Sequence, residues 1–223
     1  MFDENCPRAS AEILPDMVTK VKNESGFSWS DLDGIAISIG PGSFTGLRIG
    51  LSFSKGLAFS HDIPLVPVPT LSAMAMGVKS GNSSFRIALF SHRDLFYTQK
   101  FKDSGELFSG VGDPTLVDKK KLLSDIKHEK NAVFICGGEH IISRNETISI
   151  SPISPSAKWT GLLAHRDWKE LIVKDPSKLV PNYIAPFEIT KRKNAISSLE
   201  LCAIYSSKYC AAILKSRTSI KRS

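Results

Sequence analysis

The sequence lacks the long apolar runs that cross membranes. No stretch approaches the roughly 20 consecutive apolar residues that span a bilayer, and no signal peptide is visible at its start. The four cysteines, Cys6, Cys136, Cys202 and Cys210, are widely separated and have no CxxC spacing. This pattern disfavours a disulfide framework or a zinc site and favours reduced thiols. We therefore expect a cytoplasmic protein that makes no membrane contact.

Recognisable catalytic and metal-binding motifs are also missing. The five histidines are scattered, without the HxxxH or HExxH spacing that places two imidazoles on one helical face. No serine lies in a GxSxG sequence, and no cysteine has the sequence context of a nucleophile. Gly137-Gly138-Glu139-His140 follows a predicted strand and could contact a ligand, although a loop after a core strand is the simpler interpretation. We expect neither a metal nor a catalytic residue in this chain.

The excess of positive charge is confined to the C-terminus. The net charge is +7, and residues 191–223 hold eight Lys and Arg residues against one acid, Glu200. The rest of the chain is therefore neutral on balance. Two interpretations of the tail stay open: contact with RNA phosphates, or a solvated helix end whose cations are favoured by the helix dipole.

The most informative stretch is residues 34–59, GIAISIGPGSFTGLRIGLSFSKGLAF. Its apolar run Ile35–Ile39 predicts a strand covered on both faces, and a glycine turn and a helix follow. Such a turn can hold a phosphate at the helix N-terminus, which makes Gly40, Gly42 and Ser43 weak cofactor-binding candidates. Their GxGxxxG spacing departs from the dinucleotide fingerprint. A tight turn with close helix packing is the alternative.

Small residues recur along the helix that follows the turn. Gly46, Gly50 and Ser54 are four residues apart and form one ridge, which we call the glycine ridge, with Leu47 and Leu51 beside it. Each glycine inside a helix costs about 1 kcal/mol relative to alanine. The ridge therefore predicts close approach of another helix, from a partner or a second copy. The alternative is that the ridge packs only on the chain's own sheet.

An earlier helix offers a second apolar stripe. Ser10–Asn23 places Ile13, Leu14, Met17, Val18 and Val21 along one face. Because Pro15 interrupts the pattern, the helix either begins near Leu14 or kinks at the proline.

The remaining chain alternates short apolar runs with helical patterns, which predicts a layered α/β fold. We expect an edge strand at 63–68, a helix capped by Thr70 at 71–78 and a hairpin at 85–101 around His92-Arg93-Asp94. A helix capped by Asp118 should follow at 118–128, then a buried strand at 132–136 and a loop at 151–156. The last elements expected are a helix at 156–168, an extended segment at 179–184 and a final helix at 197–214.

Between about Ala9 and Ala75 the sequence resembles the TsaB (YeaZ) family. The resemblance lies in AEILPDMV, in SWSDLDGIAISIGPGSFTGLRIGLSFSKGLAF and in DIPLVPVPTLSAMA, of which GPGSFTGLRIG is highly specific. It implies a ribonuclease H-like (actin/Hsp70-type) α/β fold of two similar lobes. We accordingly expect an N-terminal lobe at 1–82, a C-terminal lobe at 85–190, and a basic helix and tail at 191–223.

The resemblance also implies a function. Members of this family are non-catalytic subunits that pair with the catalytic paralogue TsaD, joined by the ATPase TsaE, to threonylcarbamoylate the tRNA adenosine beside the anticodon. ATP or ADP and metal would then belong to the partner subunits, and the same helices could instead form a homodimer. The predicted partner-binding residues are Ile13, Leu14, Met17, Val21, Gly46, Leu47, Gly50, Leu51 and Ser54.

Two departures bear on this interpretation. The catalytic paralogue binds metal through a histidine-containing segment after the next strand, whereas Pro69–Met74 reads PTLSAM here. Family members usually begin with two or three strands before the first helix, so we expect a lobe without its first strands and with an exposed sheet edge. The alternative function is an enzyme acting on its own, as an actin-like ATPase or carbamoyl transferase, or as a metallopeptidase.

Overall fold

The alternation of short apolar runs and helical stripes produces a mixed α/β fold in the computed structural model. The structure describes residues 10–78, 84–104, 108–129, 132–138, 142 and 150–184. All of these belong to the first of two compact units, Met1–Ala185, and the second unit, Pro186–Ser223, lies outside the described residues. Within the described ranges, no helix combines the length and apolarity needed to cross a membrane.

The first part of the chain places a glycine turn and a long helix after a short strand, as the sequence predicts. Helix α1 and a 3-10 turn precede strand β1, and helix α2, strand β2 and the short helix α3 follow it. Their bounds are Ser10–Ser25 for α1, Trp29–Asp31 for the 3-10 turn, Ile35–Gly40 for β1, Phe44–His61 for α2, Leu65–Pro69 for β2 and Thr70–Ala75 for α3.

Helix α1 begins before Pro15, so the predicted start near Leu14 is wrong. It runs from Ser10 to Ser25 with the proline in its second turn. A proline there removes one backbone hydrogen bond, but its side chain is exposed and the Thr19 hydroxyl donates to its carbonyl oxygen (2.9 Å).

Strand β1 lies at the open edge of a two-stranded parallel sheet with β2. A Cβ on Gly50 of α2 would lie 3.3 Å from Ile37 Cδ1, so α2 covers one face. Ala36 packs into the apolar cluster on the other face. Residues Ile35–Ile39 are nevertheless only half-buried, because the outer edge of β1 has no strand partner among the described residues. The expected exposed edge is present, and both faces of the run are covered as predicted, although its side chains are only half-buried.

Pro67 shows why β2 tolerates proline. The Ile35 N–H donates to the Pro64 carbonyl (3.0 Å). Because alternate residues of a strand direct their backbone groups to the same side, this bond determines which residues of β2 face β1. Leu65 faces the opposite way, because it exchanges hydrogen bonds with Val173 (3.2 and 2.8 Å). Pro67 shares this outward side, so its missing N–H interrupts no bond to β1. The predicted edge position of this strand is confirmed.

The open edge of β1 predicts a pattern of amide hydrogen exchange. The N–H groups of Ala36 and Ser38 point away from β2 and those of Ile35 and Ile37 point toward it. We expect exchange at Ala36 and Ser38 to be at least about tenfold faster, because a hydrogen-bonded strand amide exchanges only on opening. NMR-detected exchange measures this, and equal protection along β1 would contradict the open edge.

The second sheet has the order β5-β4-β3-β6-β7. Strands β3, β4 and β5 are antiparallel neighbours, and β6 and β7 add in parallel. The predicted hairpin around His92-Arg93-Asp94 and the predicted buried strand are confirmed. The strands are β3 (Ser84–His92), β4 (Leu95–Asp103), β5 (Phe108–Asp118), β6 (Ala132–Cys136) and β7 (Ile150–Pro152).

Sequence reasoning missed strand β5. Its Gly112-Asp113-Pro114 segment is typical of a turn, but the strand continues past it through a register shift opposite Thr98 and Lys100. Gly112 has a φ of +70°, and the Gln99 side chain donates to its carbonyl (2.8 Å). The turn signal therefore marks a bulge within a strand.

Side-chain caps begin two of the helices, and the cap at Asp118 is the predicted one. Asp118 Oδ1 accepts from the Lys121 N–H (2.7 Å) at the start of α4 (Lys119–Glu129), and the Ser156 hydroxyl oxygen accepts from the Lys158 N–H (3.2 Å). The expected helix in residues 156–168 is present as α5 (Ala157–Arg166), followed by α6 (Trp168–Leu171). Strand β7 occupies part of residues 151–156, so the prediction of a loop there is partly wrong.

Several predictions lie outside the described residues. These are the last helix at 197–214, the basic tail at 191–223, and residues Glu139 and His140 of the Gly-Gly-Glu-His segment. The segment 179–184 contains no helix or strand, and Leu179 at its start has the expected extended backbone, with φ −70° and ψ 126°. The division into lobes at 1–82 and 85–190 stays a prediction.

Candidate partner-binding surface

The turn between β1 and α2 is filled by the chain's own atoms. The Asn182 N–H donates to the Ile39 carbonyl oxygen (2.7 Å). Gly40 has a φ of +114°, and a Cβ there would lie 2.8 Å from the Asn182 carbonyl oxygen and 3.1 Å from Leu47 Cδ1. Glycine is required at this position both for its backbone conformation and for the close approach of residue 182.

Ser43 closes the other end of the turn. Its hydroxyl oxygen accepts from the Gly46 N–H (3.2 Å) and so caps α2. Gly42, in contrast, has space: a Cβ there would meet only Leu47, at 4.0 Å. These contacts give Gly40 and Ser43 a structural role in the turn, whereas cofactor binding by Gly40, Gly42 and Ser43 stays a prediction.

Gly40→Ala should destabilise the protein by about 2–4 kcal/mol, because it adds backbone strain and a steric overlap with a backbone carbonyl. Gly42→Ala is the matched control, and its effect should stay within about 0.5 kcal/mol. Urea denaturation of both variants measures the difference. Equal stabilities would show that the contact of residue 182 with the turn does not hold the turn in place.

An aromatic and cationic cluster attaches the 179–184 segment to α2. Arg48 Nε donates to the Tyr183 hydroxyl (2.9 Å), and its guanidinium carbon lies 3.8 Å from the centroid of the Phe44 ring. The Phe44 and Tyr183 rings are 5.2 Å apart. No local sequence signal could have found the whole cluster, since Tyr183 lies 135 residues from Arg48 in the chain.

The carboxyl ends of β1 and β2, where parallel α/β sheets usually hold their ligands, are occupied by core residues. Ser38 Oγ and Thr70 Oγ1 are 2.6 Å apart. Thr70 is buried and is the first residue of α3, so its predicted capping role is wrong, and α3 ends at Ala75 rather than near Val78. Leu71 and Met74 are fully buried. No cluster of three or more His, Cys, Asp or Glu side chains suited to a metal occurs in the described part of the chain.

The glycine ridge of α2 packs largely on the chain's own residues. Leu51 and Ser54 are only 5% and 6% exposed, and Leu51 belongs to the cluster that includes Ile37 and Leu65. Gly50 faces Ile37, as described above, and a Cβ on Gly46 would lie 3.4 Å from the Ser43 side chain. The prediction that Ser54 of the ridge and Leu51 beside it are open to a foreign helix is therefore wrong. Close packing does require small residues there, but the neighbour at Gly50 is β1.

Helix α1 keeps an apolar surface that the other described residues leave half-exposed. Its predicted partner-binding residues are all half-buried, neither in the core nor fully in water. Beside them lies an apolar groove of about 190 Å³, which we call the α1 groove. Its lining residues are Leu14, Met17, Val18, Val21 and Phe27. Whether Ile13, Leu14, Met17 and Val21 contact a partner through this surface stays a prediction.

Phe27 was missed as part of this surface, although the sequence holds a signal for it. Gly26 follows α1 with a φ of +69°, and its N–H donates to the Lys22 carbonyl (2.9 Å). This is a glycine C-cap, after which an apolar residue commonly folds back on the helix. Phe27 packs edge-on against Trp29, which stacks on His61 at the end of α2 with ring centroids 4.6 Å apart.

Comparisons with known proteins show which family this chain resembles. The model of the family described as TsaD: tRNA N6-adenosine threonylcarbamoyltransferase matches residues 4–133. The chain is 39% identical over 110 residues to the Escherichia coli tRNA threonylcarbamoyladenosine biosynthesis protein TsaB, covering 48% of each chain. It is 26% identical over 205 residues to the TsaB protein of Haemophilus influenzae, covering 86% of this chain and 77% of that one. The chain thus spans about half the length of the first of these relatives.

A solved structure shows the same fold. YeaZ from Pseudomonas aeruginosa superposes with a TM-score of 0.70 at 24% identity, covering 81% of this chain and 86% of the other. The shared architecture is consistent with an actin/Hsp70-like α/β fold. Because the family model covers more than half of the residues, the chain belongs to the TsaD-type, glycoprotease-like family and, within it, to the TsaB (YeaZ) group.

Proposed function

We propose that the chain is a non-catalytic assembly subunit that pairs with a TsaD-type protein for threonylcarbamoylation of adenosine in tRNA. The observation that carries the proposal is the α1 groove, an apolar surface on the first helix that the other described residues leave open. Curated relatives are named as tRNA threonylcarbamoyladenosine biosynthesis proteins. A surface of this kind is typical of a protein-binding site.

The structural role of the usual ligand positions supports the non-catalytic part of the proposal. The glycine turn is packed against Asn182 and Leu47, and the carboxyl ends of β1 and β2 carry the Ser38–Thr70 hydroxyl pair beside buried apolar residues. In this proposal ATP or ADP and metal bind the partner subunits. A TsaE-like ATPase joins the pair in the cytoplasm, and contact of the 191–223 tail with tRNA remains a further possibility to test.

The experiment is reconstitution of the modification with purified proteins. The TsaD-type protein of the same organism is combined with tRNA and a source of threonylcarbamoyl-adenylate, with and without this chain, and the modified nucleoside is measured by mass spectrometry of digested tRNA. We expect product only when both proteins are present. Product formed by this chain alone, or ATP turnover or metal-dependent peptidase activity by it alone, would contradict the proposal and favour an independent enzyme.

A further inference from the structure

Phe44, Arg48 and Tyr183 form a surface at the start of α2 that we call the Arg48 platform. The Phe44 side chain is 37% exposed and that of Tyr183 is 44% exposed, and Arg48 is exposed as well. The guanidinium carbon of Arg48 lies 3.8 Å from the centroid of the Phe44 ring and 5.8 Å from that of the Tyr183 ring. Two aromatic rings and a guanidinium plane are therefore accessible at one place on the surface. None of the three residues lines the α1 groove.

Arg48 is held in place while part of its hydrogen-bonding capacity stays unused. Its Nε donates to the Tyr183 hydroxyl (2.9 Å), and the Phe44 ring supports the guanidinium plane. Its terminal nitrogens, Nη1 and Nη2, have no hydrogen bond or ion pair with any other described residue. A guanidinium group with free terminal nitrogens is suited to a phosphate group. Because the side chain is already positioned, less conformational entropy is lost when an anion binds.

Positive charge predominates beside the Arg48 platform. Helix α2 contains no Asp or Glu, and its Lys55 follows Arg48 by two turns, about 10 Å along the same side of the helix. Lys55 Nζ donates to the Ser177 carbonyl oxygen (3.1 Å), so the segment leading to Tyr183 runs along α2. Residues 177–184 add one cation, Lys178, and no acid. The preceding acid, Asp175, accepts from the Ser177 hydroxyl and N–H. This charge distribution favours an anionic partner.

Single-stranded RNA matches both properties of this surface. Its unpaired bases stack on aromatic rings and guanidinium planes, and its phosphates bind arginine. Duplex RNA supplies phosphates, but its bases are stacked within the helix and present no free face. An apolar protein segment covers aromatic rings, but it leaves the charge of Arg48 without a partner.

We propose that the Arg48 platform binds an unpaired stretch of RNA, with a base stacked on the platform and a neighbouring phosphate on Nη1 and Nη2 of Arg48. This inference rests on the proposed function for the identity of the RNA, which is the tRNA that the two subunits modify. It deepens that function, because it gives this chain a direct contact with the substrate in addition to its contact with the TsaD-type protein.

Fluorescence anisotropy of the full chain with a labelled single-stranded RNA of about 12 nucleotides, at several salt concentrations, tests the phosphate contact. Arg48→Gln should weaken binding at least about fivefold. It should also reduce the slope of log affinity against log salt by about 0.7, the value for one phosphate. Arg93→Gln is the matched control, because Arg93 is exposed in the hairpin between β3 and β4, and its effect should stay below about twofold. Equal losses in the two variants, or none in Arg48→Gln, would overturn the proposal.

Two substitutions of Tyr183 separate base stacking from the positioning of Arg48. Tyr183→Phe keeps the ring and removes the hydroxyl that holds Arg48 Nε, so affinity should fall about twofold with the salt slope unchanged. Tyr183→Ser also removes the ring and should weaken binding at least about fivefold. The same variant should bind a duplex RNA of equal length as the wild type does, because paired bases do not stack on the ring. Equal losses for single-stranded and duplex RNA would contradict base stacking.

Photocrosslinking locates the contact in the full chain. An RNA in which uridine is replaced by iodouridine is irradiated with the protein, and the linked peptides are identified by mass spectrometry. We expect crosslinks on Tyr183 or Phe44, because an iodinated base that is stacked on an aromatic ring reacts with it. Crosslinks found only within residues 191–223 would assign RNA binding to the basic tail and overturn the proposal.

The RNA contact and the proposed function fail separately. If Arg48→Gln binds RNA as the wild type does, while the wild-type chain supports tRNA modification, only the RNA contact is wrong. If the RNA contact depends on Arg48 but the wild-type chain does not support modification, only the proposed function is wrong. Arg48→Gln should leave binding of the TsaD-type protein unchanged in titration calorimetry. Loss of that binding, with RNA affinity unchanged, would make the Arg48 platform a protein interface and overturn the proposal.

Discussion

Met17→Asp should abolish stable binding of the TsaD-type protein. Met17 lines the α1 groove and is half-buried in the free chain, so the complex would enclose the new carboxylate in apolar surroundings. Enclosing an unpaired charge opposes binding far more than the loss of one apolar contact does. We expect the affinity to fall at least about 100-fold, measured by titration calorimetry or by co-purification after co-expression.

The matched control for this variant is Asn23→Asp on the same helix. Asn23 is exposed and does not line the groove, so it adds the same charge outside the expected contact. We expect its affinity to change less than about twofold, as for a solvated charge. Both variants should melt within a few degrees of wild type, because neither position lies in the core. Equal losses of affinity in the two variants, or none in Met17→Asp, would remove the α1 groove from the interface.

Gly50→Leu should destabilise the free chain before any partner is considered. A Cβ at this position would lie 3.3 Å from Ile37 Cδ1, and the rest of a leucine side chain would have to displace β1 or α2. Overpacking of this kind costs about 1–3 kcal/mol, less the small gain in helix propensity. Urea denaturation of the free chain measures the effect.

Gly56→Leu separates packing from helix propensity. A Cβ on Gly56 meets no atom within 4 Å, so this variant should gain up to about 1 kcal/mol of stability from helix propensity alone. We therefore predict that Gly50→Leu lowers the free energy of unfolding and that Gly56→Leu raises it. If Gly50→Leu were as stable as Gly56→Leu and instead lost the TsaD-type protein, the glycine ridge would be a partner surface after all.

Local signals carried most of the secondary structure. Asp118 and Ser156 cap helices because their side chains reach backbone N–H groups two or three residues away, a relation that is visible in sequence. The hairpin of β3 and β4 follows from two apolar runs around a short polar turn. One misjudged boundary is the start of α1, which lies before Pro15.

The candidate surface was predicted only in part, for a different physical reason. Helical spacing shows that Gly46, Gly50 and Ser54 share a face, but not whether that face meets another subunit or β1. The answer depends on the placement of β1 beneath α2, which is a tertiary contact. The attachment of Tyr183 to Arg48 depends equally on long-range packing. In contrast, the α1 stripe was correctly identified as apolar, and the other described residues leave it half-exposed.

The most direct test of the α1 groove as a partner-binding surface is oxidation of Met17 in the unmodified protein, with and without the TsaD-type protein. Met17 lines the groove, and Met76, whose sulfur lies 3.8 Å from Arg166 Nη1, is an internal reference away from it. Peptide mass spectrometry after hydrogen peroxide treatment measures both. Binding should slow oxidation of Met17 at least about tenfold and leave Met76 unchanged, because an interface core excludes water and solutes. Oxidation of Met17 at the same rate in the complex as in the free chain would contradict the assignment.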